Sequence, residues 1–207
     1  GLPAAEGHRR GMKKLKEVLD WARQDGVKTV FLYTFSAENW RRSKTEVTAL
    51  FALFRHFLKI EVAALLKQDT RLVFIGELES FPRRLKQAMA EAMLATKQCR
   101  RLTVVVAVSY GGRWEILEAA KVFAVKYRDH LKQAGEKEFS QCLATAHLPD
   151  PDLIIRTGGE QRLSNFLPWQ SVYSELYFTK TFWPAFTRAE FAAIIADYCA
   201  RERRFGR

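Results

Sequence analysis

Apolar residues recur along this chain with two periods, in short continuous runs and in stripes spaced by three and four residues. The short runs, rich in β-branched and aromatic residues, lie at 27–33, 71–75, 102–108, 153–155 and 172–178. The spaced stripes lie at 15–22, 46–67, 80–96, 113–127 and 187–198. Runs of the first kind indicate strands, and stripes of the second kind indicate helices. The alternation predicts an α/β fold, with a mainly parallel central sheet of five strands covered by helices.

Two of these elements carry more apolar surface than the others. Leu102 to Val108 is nearly continuous apolar sequence, as expected of a central strand that is covered on both faces. The helix from Glu46 to Lys67 is apolar on more than one side. Such a helix packs in a core, is covered by a partner, or lines an apolar cavity, and core packing is the commonest of the three.

Length and composition predict one soluble domain. The chain has 207 residues, 48% of them hydrophobic, and contains no linker rich in proline, serine and glycine. No apolar run approaches the ~20 residues that a bilayer span needs. The three cysteines and four histidines are scattered, without the spacing of a metal site or a disulfide framework. Reduced thiols in a cytoplasmic protein are therefore expected.

The charge balance predicts an anionic partner. Lys and Arg total 34 against 23 Asp and Glu, a formal net charge of +11. Nucleic acid, a phosphorylated small molecule and an acidic membrane surface all fit that balance. The aromatic residues fall in apolar stripes rather than between basic residues, which disfavours nucleic acid. The sequence contains neither GxxxxGK[ST] nor GxGxxG, so it does not predict an ordinary nucleotide-binding fold.

One polar loop carries the clearest candidate chemistry. Arg156 and Arg162 bracket a Gly-Gly turn directly after an apolar run, and Ser164 follows two residues later. A compact loop can direct two guanidinium groups and a hydroxyl onto one multivalent anion, such as a phosphate or diphosphate. A surface hairpin with solvated arginines is an equally plausible interpretation of this loop alone.

Other candidates follow from their position on the predicted elements. Ser36, Asn39 and Arg42 come directly after the strand 27–33, at the carboxyl edge where open parallel sheets bind ligands. His8 precedes the first helical stripe, so it lies near a helix N-terminus that favours anions. A polar loop and a solvated first helical turn remain the alternatives.

Taken together, these segments resemble the cis-prenyltransferases. The resemblance runs from Gly1 to Gly206 in the order of that family. It rests on Gly7-His8, Phe35-Ser36-Ala37-Glu38-Asn39-Trp40 with Arg42, Tyr110-Gly111-Gly112-Arg113, the loop 155–166, Trp169-Gln170, Ser174-Glu175-Leu176-Tyr177-Phe178 and Trp183-Pro184. Each motif alone is weak, and their joint occurrence in order is what identifies the family.

The resemblance implies a transferase that condenses isopentenyl diphosphate onto an allylic diphosphate such as farnesyl diphosphate, forming cis double bonds with Mg²⁺. In the bacterial branch that the chain resembles most, the product is a long-chain polyprenyl diphosphate, undecaprenyl diphosphate, for the cell-wall lipid carrier. The residue types suit this chemistry. Ionising an allylic diphosphate needs cations and dipoles around the leaving group rather than a protein nucleophile.

The family's site residues carry over by matching motifs. The residues that bind isopentenyl diphosphate match Arg156, Arg162 and Ser164, and the glutamate that coordinates magnesium matches Glu175. A second set surrounds the allylic diphosphate and the reacting carbons. The catalytic members of that set are His8, Ser36 and Asn39, and its substrate-binding members are His8, Trp40 and Arg42.

The resemblance further implies a homodimer and an apolar tunnel. Arg204 and Gly206 would reach the partner's diphosphate site. The tunnel would be lined by residues of the long helix and of the central strand, and its product would be handed off at a membrane surface. These tunnel residues are Leu50, Phe54, Leu58, Leu102 and Val108. The protein is expected in the cytoplasm or at the inner surface of the membrane.

One family segment is expected to be missing from the 207 residues. The family begins with a strand that ends in an Asp-Gly-Asn-type segment, whose aspartate binds magnesium and is central to catalysis. That segment would lie upstream of Gly1. Two functions therefore stay open: an elongating transferase, and a catalytically silent subunit that scaffolds an active partner. The retained cluster of Arg156, Arg162, Ser164 and Glu175 favours the enzyme.

Overall fold

A computed structural model describes residues 4–201, apart from the side chains of residues 4, 5 and 8. The helices are α1 (Ala4–Gln24), α2 (Lys44–Lys67), α3 (Arg83–Thr96), α4 (Gly112–Lys126), α5 (Glu136–Ser140) and α6 (Arg188–Ala200). The strands are β1 (Thr29–Ser36), β2 (Thr70–Ile75), β3 (Leu102–Tyr110), β4 (Leu153–Arg156) and β5 (Glu175–Phe178). A 3₁₀ helix, Ala37–Arg41, follows β1. The α/β class and the five parallel strands predicted from the sequence are confirmed.

The contacts between residues group the chain into two compact units. The smaller unit holds the described residues up to 27, residues 150–164, and the described residues from 170 onward. The larger unit holds residues 28–149 and 165–169. The five strands divide accordingly, and the described residues form one sheet of three strands and one of two rather than a single sheet. Periodicity along the chain identifies strands, but pairing partners depend on where the crossovers return the chain.

In the larger unit, β3 is the central strand of the order β1-β3-β2. Every residue of β3 except Thr103 is buried, which confirms the prediction for 102–108. One face of the sheet packs against α2, because the Phe54 ring lies 5.8 Å from the Phe74 ring. Phe74 is in register with Val106. Leu102 and Val108 have the same parity as Val106 and therefore share the face that α2 covers.

The opposite face of this sheet carries the second part of the core. Val105, Ala107 and Tyr110 of β3 pack there with Ile75 and Leu167. Leu167 is fully buried although it belongs to the segment 165–169, which returns to this unit after β4. This part of the core therefore combines strand residues with Leu167, which is more than 50 residues away from β3 in the sequence.

Helix ends in both units are capped by hydroxyl side chains. The Ser43 hydroxyl accepts the Glu46 N–H at 3.2 Å at the start of α2. The Thr187 hydroxyl accepts the Glu190 N–H at 3.2 Å at the start of α6. Such caps satisfy N–H groups that have no partner within the helix, and each stabilises the fold by about 1 kcal/mol.

In the smaller unit, β4 pairs in parallel with β5, with Leu153 opposite Glu175. Helix α1 packs on the segment that leads into α6, where Trp21 contacts the rings of Phe186 and Phe191. An ion pair adds to this packing, since both nitrogens of the Arg188 fork donate to the Asp25 carboxylate at 2.7 and 2.5 Å. No helix in the described part of the chain is long and apolar enough to cross a membrane.

Candidate active site

The loop after β4 is held closed by the Arg156 side chain. Its Nη1 donates to the Arg162 carbonyl oxygen at 2.5 Å and to the Ser164 hydroxyl at 2.7 Å. Arg156 is half-buried, whereas Arg162 and Ser164 are exposed. The structure therefore brings together the backbone or side chains of all three residues that the sequence singled out in this loop.

The Gly-Gly turn lets this loop run beside the segment that follows β5. The Gly158 N–H donates to the Thr181 carbonyl at 2.9 Å, and the Gly159 N–H donates to the Thr179 carbonyl at 2.8 Å. Both glycines have positive φ, +96° and +85°. L-residues with a side chain rarely adopt these angles, so glycine is needed at both positions. The turn places the backbone of 158–159 beside the segment that follows β5 and leaves the following polar residues exposed.

The Arg162 guanidinium has an internal counterion. It donates to the Glu160 carboxylate two residues earlier, and both side chains are more than half exposed. An exposed ion pair of this kind contributes little to stability. A diphosphate can therefore displace Glu160 from Arg162 at small cost, which makes this arginine available to an anion.

Glu175, at the start of β5, is the predicted metal ligand, and in this structure it is paired with an arginine. Its Oε2 accepts a hydrogen bond from Arg201 Nη1 at 2.5 Å, and Arg201 also donates to Asp197 at 2.6 Å. Hydrogen bonds to Glu175 first, and then to Asp197, raise the pKa of Arg201 above its ordinary value. Arg201 lies 26 residues from Glu175, so no local pattern in the sequence indicates this contact.

The donor set at Glu175 suits one mode of magnesium binding. Among the described residues, no group of three or more His, Cys, Asp or Glu side chains could hold a metal ion. Magnesium is nevertheless often bound through one or two carboxylates together with substrate phosphates and water. One Glu175 oxygen is used by Arg201, and the described residues place no donor on the other. A single carboxylate oxygen beside a diphosphate therefore fits this ion.

In the larger unit, the predicted residues at the end of β1 and directly after it are folded onto one another. The Ser36 N–H donates to the Asn39 side-chain oxygen at 3.2 Å, which starts the 3₁₀ helix. The Trp40 indole donates to the Ser109 hydroxyl at 2.8 Å. The Arg42 guanidinium pairs with Glu46 at 3.1 Å, and both side chains are partly exposed. Asn39 and Trp40 therefore shape the loop, and Arg42 can exchange its weak partner for an anion.

The remaining predicted residues are placed as follows. His8 lies within α1, four residues after Ala4, and its side chain lies outside the described residues, as do Arg204 and Gly206. Leu58, Leu102 and Val108 are buried, and Leu50 and Phe54 are half-buried. Helix α2 covers the face of the three-stranded sheet on which the Leu102 and Val108 side chains lie. The five tunnel candidates therefore lie on the same side of the sheet.

Asn165 and Glu38, for which the sequence predicted no role, connect three segments of the larger unit. The Asn165 carbonyl accepts the Gly112 N–H at 2.8 Å, and its side-chain oxygen accepts the Arg113 N–H at 2.9 Å. Its side-chain nitrogen donates to the Glu38 carboxylate at 3.3 Å. Asn165 thus ties the N-terminus of α4 to the 3₁₀ helix that follows β1.

The two glycines before Arg113 have a steric explanation at this junction. A Cβ on Gly111 would lie 2.6 Å from the Asn165 amide nitrogen, and a Cβ on Gly112 would lie 2.0 Å from Pro168 Cδ. Both distances are shorter than the contacts that a Cβ atom makes in proteins, so only glycine at these two positions permits the close approach of the segment 165–169. The geometry therefore gives the Gly-Gly pair a specific structural role, which is close packing at this junction.

Hydrogen bonds and burial adjust the titration of neighbouring groups. Hydrogen bonds from the backbone N–H of Glu38 itself, from the Ser36 hydroxyl and from Asn165 hold the pKa of the Glu38 carboxyl below its usual range. Burial, reinforced by the negative charge of Glu38, raises the pKa of Tyr33 to about 12. At neutral pH Glu38 is therefore a carboxylate that accepts hydrogen bonds, and Tyr33 is a neutral phenol.

Replacing Asn165 with alanine is expected to destabilise the larger unit by about 2 kcal/mol, because a backbone N–H and a carboxylate each lose a partner. The positive φ of Asn165, +66°, adds strain, since alanine tolerates that region less well than asparagine. The melting temperature should fall by about 4–8 °C, measured by circular dichroism.

Asn165→Asp is the matched variant, because an aspartate oxygen still accepts the Arg113 N–H but offers no donor to Glu38. It should recover part of the stability only when Glu38 is also changed to glutamine, which can donate to the aspartate. If Asn165→Ala unfolds at the wild-type melting temperature, the hydrogen bonds of Asn165 contribute nothing to the free energy of unfolding.

Comparisons with known proteins extend these observations. The family model described as putative undecaprenyl diphosphate synthase matches residues 1–206. An isoprenyl transferase of Thermotoga maritima is 44% identical over 208 residues, which cover 100% of this chain and 89% of the relative. A ditrans,polycis-undecaprenyl-diphosphate synthase of Micrococcus luteus, farnesyl-diphosphate specific, is 42% identical over 208 residues, covering 99% of this chain and 84% of the relative.

Two solved structures share the fold. The crystal structure of a probable undecaprenyl diphosphate synthase from Campylobacter jejuni has a TM-score of 0.85 and 34% identity, covering 96% of this chain and 93% of that chain. Lavandulyl diphosphate synthase from Lavandula x intermedia, solved with dimethylallyl diphosphate, has a TM-score of 0.94 and 35% identity. That match covers 100% of this chain and 91% of the other.

Proposed function

The chain belongs to the family of putative undecaprenyl diphosphate synthases, and from that membership we propose that it condenses isopentenyl diphosphate onto farnesyl diphosphate with formation of cis double bonds. The product would be a long-chain polyprenyl diphosphate, undecaprenyl diphosphate, for the cell-wall lipid carrier. The observation that carries the proposal is the loop in which Arg156 holds Ser164 and the Arg162 backbone together. A catalytically silent scaffold needs no such cluster of anion-binding groups.

In the proposed reaction, the loop after β4 binds isopentenyl diphosphate. The Arg156 and Arg162 guanidinium groups offer charge-assisted hydrogen bonds to its phosphate oxygens, and the Ser164 hydroxyl adds a third donor. Because the loop is closed by its own hydrogen bonds, little additional ordering accompanies binding. Preorganised cations of this kind orient the nucleophilic double bond without taking part in bond making.

The loop after β1 is proposed to hold the allylic diphosphate. Arg42 would exchange Glu46 for a phosphate, and Trp40 would pack beside the substrate. The Ser36 hydroxyl, the Asn39 amide and His8 would surround the reacting carbons. Magnesium held by Glu175 would neutralise charge on the diphosphate oxygens. These groups together stabilise the developing negative charge of the leaving group.

The growing hydrocarbon chain is proposed to lie on the side of the sheet that α2 covers. Leu50, Phe54 and Leu58 would form one wall, and Leu102 and Val108 of the central strand would form the opposite wall or the far end. Burial contributes about 0.8 kcal/mol per CH₂ group, so each five-carbon unit would gain a few kcal/mol in an apolar tunnel. Product length measures the depth of that tunnel.

The proposal also includes the assembly and the location of the protein. A homodimer would let Arg204 and Gly206 complete the partner's diphosphate site. Sedimentation equilibrium reports the oligomeric state. A cytoplasmic protein that works at the inner membrane surface would hand its lipid product directly to the bilayer.

Incubation of the full-length protein with farnesyl diphosphate, radiolabelled isopentenyl diphosphate and Mg²⁺ is expected to yield labelled long-chain products, separated by reverse-phase chromatography. Chelation of the metal should abolish the label, since the leaving diphosphate then lacks its counterion. The scaffold alternative predicts no incorporation by this protein alone and full incorporation once an active homologous subunit is added. Absence of product together with unimpaired binding of both diphosphates would favour that alternative.

A further inference from the structure

A groove of about 850 Å³ lies along α3 and the edge strand β2 of the larger unit. Leu72 and Met89 are among its buried lining residues, 5% and 2% exposed. Met93 is half-buried, and Leu94 is 74% exposed at the opening. None of the five tunnel candidates lines the groove, so it is a separate apolar surface.

Three unpaired cations surround this apolar surface. Arg71, Arg83 and Lys97 line the groove, are exposed, and form no ion pair with any described residue. Lys86 also lines it, but its charge is balanced by Glu79 at 2.6 Å. The groove therefore presents three free positive charges to a ligand.

The cations stand at both ends of the groove. The Leu72 N–H donates to the Thr96 hydroxyl at 3.0 Å, so the end of α3 lies beside the start of β2. Arg71 and Lys97 consequently share one end. Arg83 begins α3 at the other end, about 20 Å away for a helix of this length. The exposed Leu94 side chain lies close to the Lys97 end, about 4.5 Å along the helix axis from Lys97 and about 16 Å from Arg83.

This distribution matches the surface of an anionic bilayer. Phosphate headgroups lie beside one another above hydrocarbon, so a surface that sets cations beside exposed apolar side chains meets both layers at once. A nucleic acid would leave the apolar side chains of the groove uncovered, and the groove lining contains no aromatic side chain on which a base could stack. The combination of charge and apolar surface distinguishes lipid from a purely ionic ligand.

We propose that this groove docks the protein on a bilayer of anionic phospholipid, with headgroup phosphates on Arg71, Arg83 and Lys97 and an acyl chain against Met93 and Leu94. The proposal deepens the membrane location proposed above. It does not depend on the transfer reaction, because the groove and the diphosphate-binding loops share no residue.

Co-sedimentation of the full-length protein with phosphatidylcholine vesicles, with and without phosphatidylglycerol, tests the docking. The wild-type protein should pellet with the phosphatidylglycerol vesicles and less with phosphatidylcholine alone. Each cation near an anionic surface strengthens binding about fivefold, so Lys97→Glu should weaken partitioning at least fivefold. Leu94→Glu should weaken it by a similar factor, because it removes the exposed apolar contact. Both positions are exposed, and melting temperatures should stay at the wild-type value.

Ile60→Glu and Lys132→Glu are the matched controls. Ile60 is 54% exposed on α2, Lys132 is exposed after α4, and neither lines the groove. Unchanged partitioning of the controls with reduced partitioning of the groove variants supports the proposal. Equal losses in all four variants would assign binding to the overall charge of +11 and overturn it.

The docking proposal is also overturned if the wild-type protein binds neither kind of vesicle. Incorporation of isopentenyl diphosphate in detergent, measured in parallel, reports the proposed function separately. Wild-type incorporation by Lys97→Glu, combined with lost vesicle binding, would show that docking and chemistry use different surfaces. Loss of incorporation in the wild-type protein would instead contradict the proposed function while leaving the vesicle result intact.

Discussion

Arg156→Ala is expected to weaken isopentenyl diphosphate binding by about 100-fold, with a much smaller effect on farnesyl diphosphate. A charged hydrogen-bonded partner in a partly desolvated site is worth about 2–5 kcal/mol, and 1.4 kcal/mol corresponds to a factor of ten. Arg156 also closes the loop through the Arg162 carbonyl and the Ser164 hydroxyl. Its removal therefore takes away a ligand contact and the preorganisation of the other two groups.

Arg162→Ala separates these two contributions. The Arg162 guanidinium contacts Glu160 at the surface and supports no other described part of the loop, so its loss should lower affinity without loosening the loop. Hydrogen exchange at the Gly158 and Gly159 amides should rise in Arg156→Ala and stay unchanged in Arg162→Ala, because both amides donate to carbonyl groups just after β5 and report whether the loop stays closed.

Isothermal titration with each diphosphate is the decisive measurement for the loop. Arg55→Ala is the control, since Arg55 is an exposed arginine on α2 outside the proposed site. If the Arg156 and Arg162 variants bind both diphosphates with wild-type affinity, the assignment of the loop to isopentenyl diphosphate is wrong. An equal loss for both ligands would indicate a general effect of charge or folding.

Gly76→Ala should lower the melting temperature by about 6–12 °C, the largest stability effect expected from a single methyl group here. A Cβ at Gly76 would lie 1.9 Å from the Val108 carbonyl oxygen, and its φ is +120°. Backbone atoms of the central strand must shift to admit the methyl group, at a cost of about 3 kcal/mol or more. For a chain of this size, 1 kcal/mol corresponds to about 2–4 °C.

Gly26→Ala is the control that isolates the clash from the backbone angle. Gly26 also has positive φ, +77°, but a Cβ there would meet no atom within 4 Å. Only the penalty of about 1–2 kcal/mol for a left-handed alanine applies. Thermal unfolding followed by circular dichroism compares the two. Equal decreases would mean that strand β3 yields to the Gly76 methyl group at no cost.

The close approach at Gly76 also bears on the candidate site of the larger unit. The Glu77 N–H donates to the Ser109 carbonyl at 3.3 Å, and the Ser109 hydroxyl accepts the Trp40 indole N–H at 2.8 Å. A shift of this backbone would therefore move the Ser109 hydroxyl to which the Trp40 indole donates. Gly76→Ala should consequently alter Trp40 fluorescence as well as stability.

The amino-acid sequence was sufficient for properties that depend on neighbouring positions. A run such as 102–108 is apolar at every position, so it predicts a doubly covered strand, and β3 is buried as expected. The Arg156, Arg162 and Ser164 cluster lies within nine residues, so a single turn brings the three together. Each family motif is likewise a short stretch of neighbouring residues, and the order of these motifs along the chain was enough to identify the family.

Only the tertiary structure decided which distant groups meet. Arg201 reaches Glu175 across 26 residues, and Asn165 reaches Glu38 across 127 residues. The division of five strands into sheets of three and two is of the same kind. Side-chain spacing sets the type of each helix or strand through local sterics, whereas these contacts depend on the path of the intervening chain. That path follows from packing the whole of each core, and no short stretch of sequence contains it.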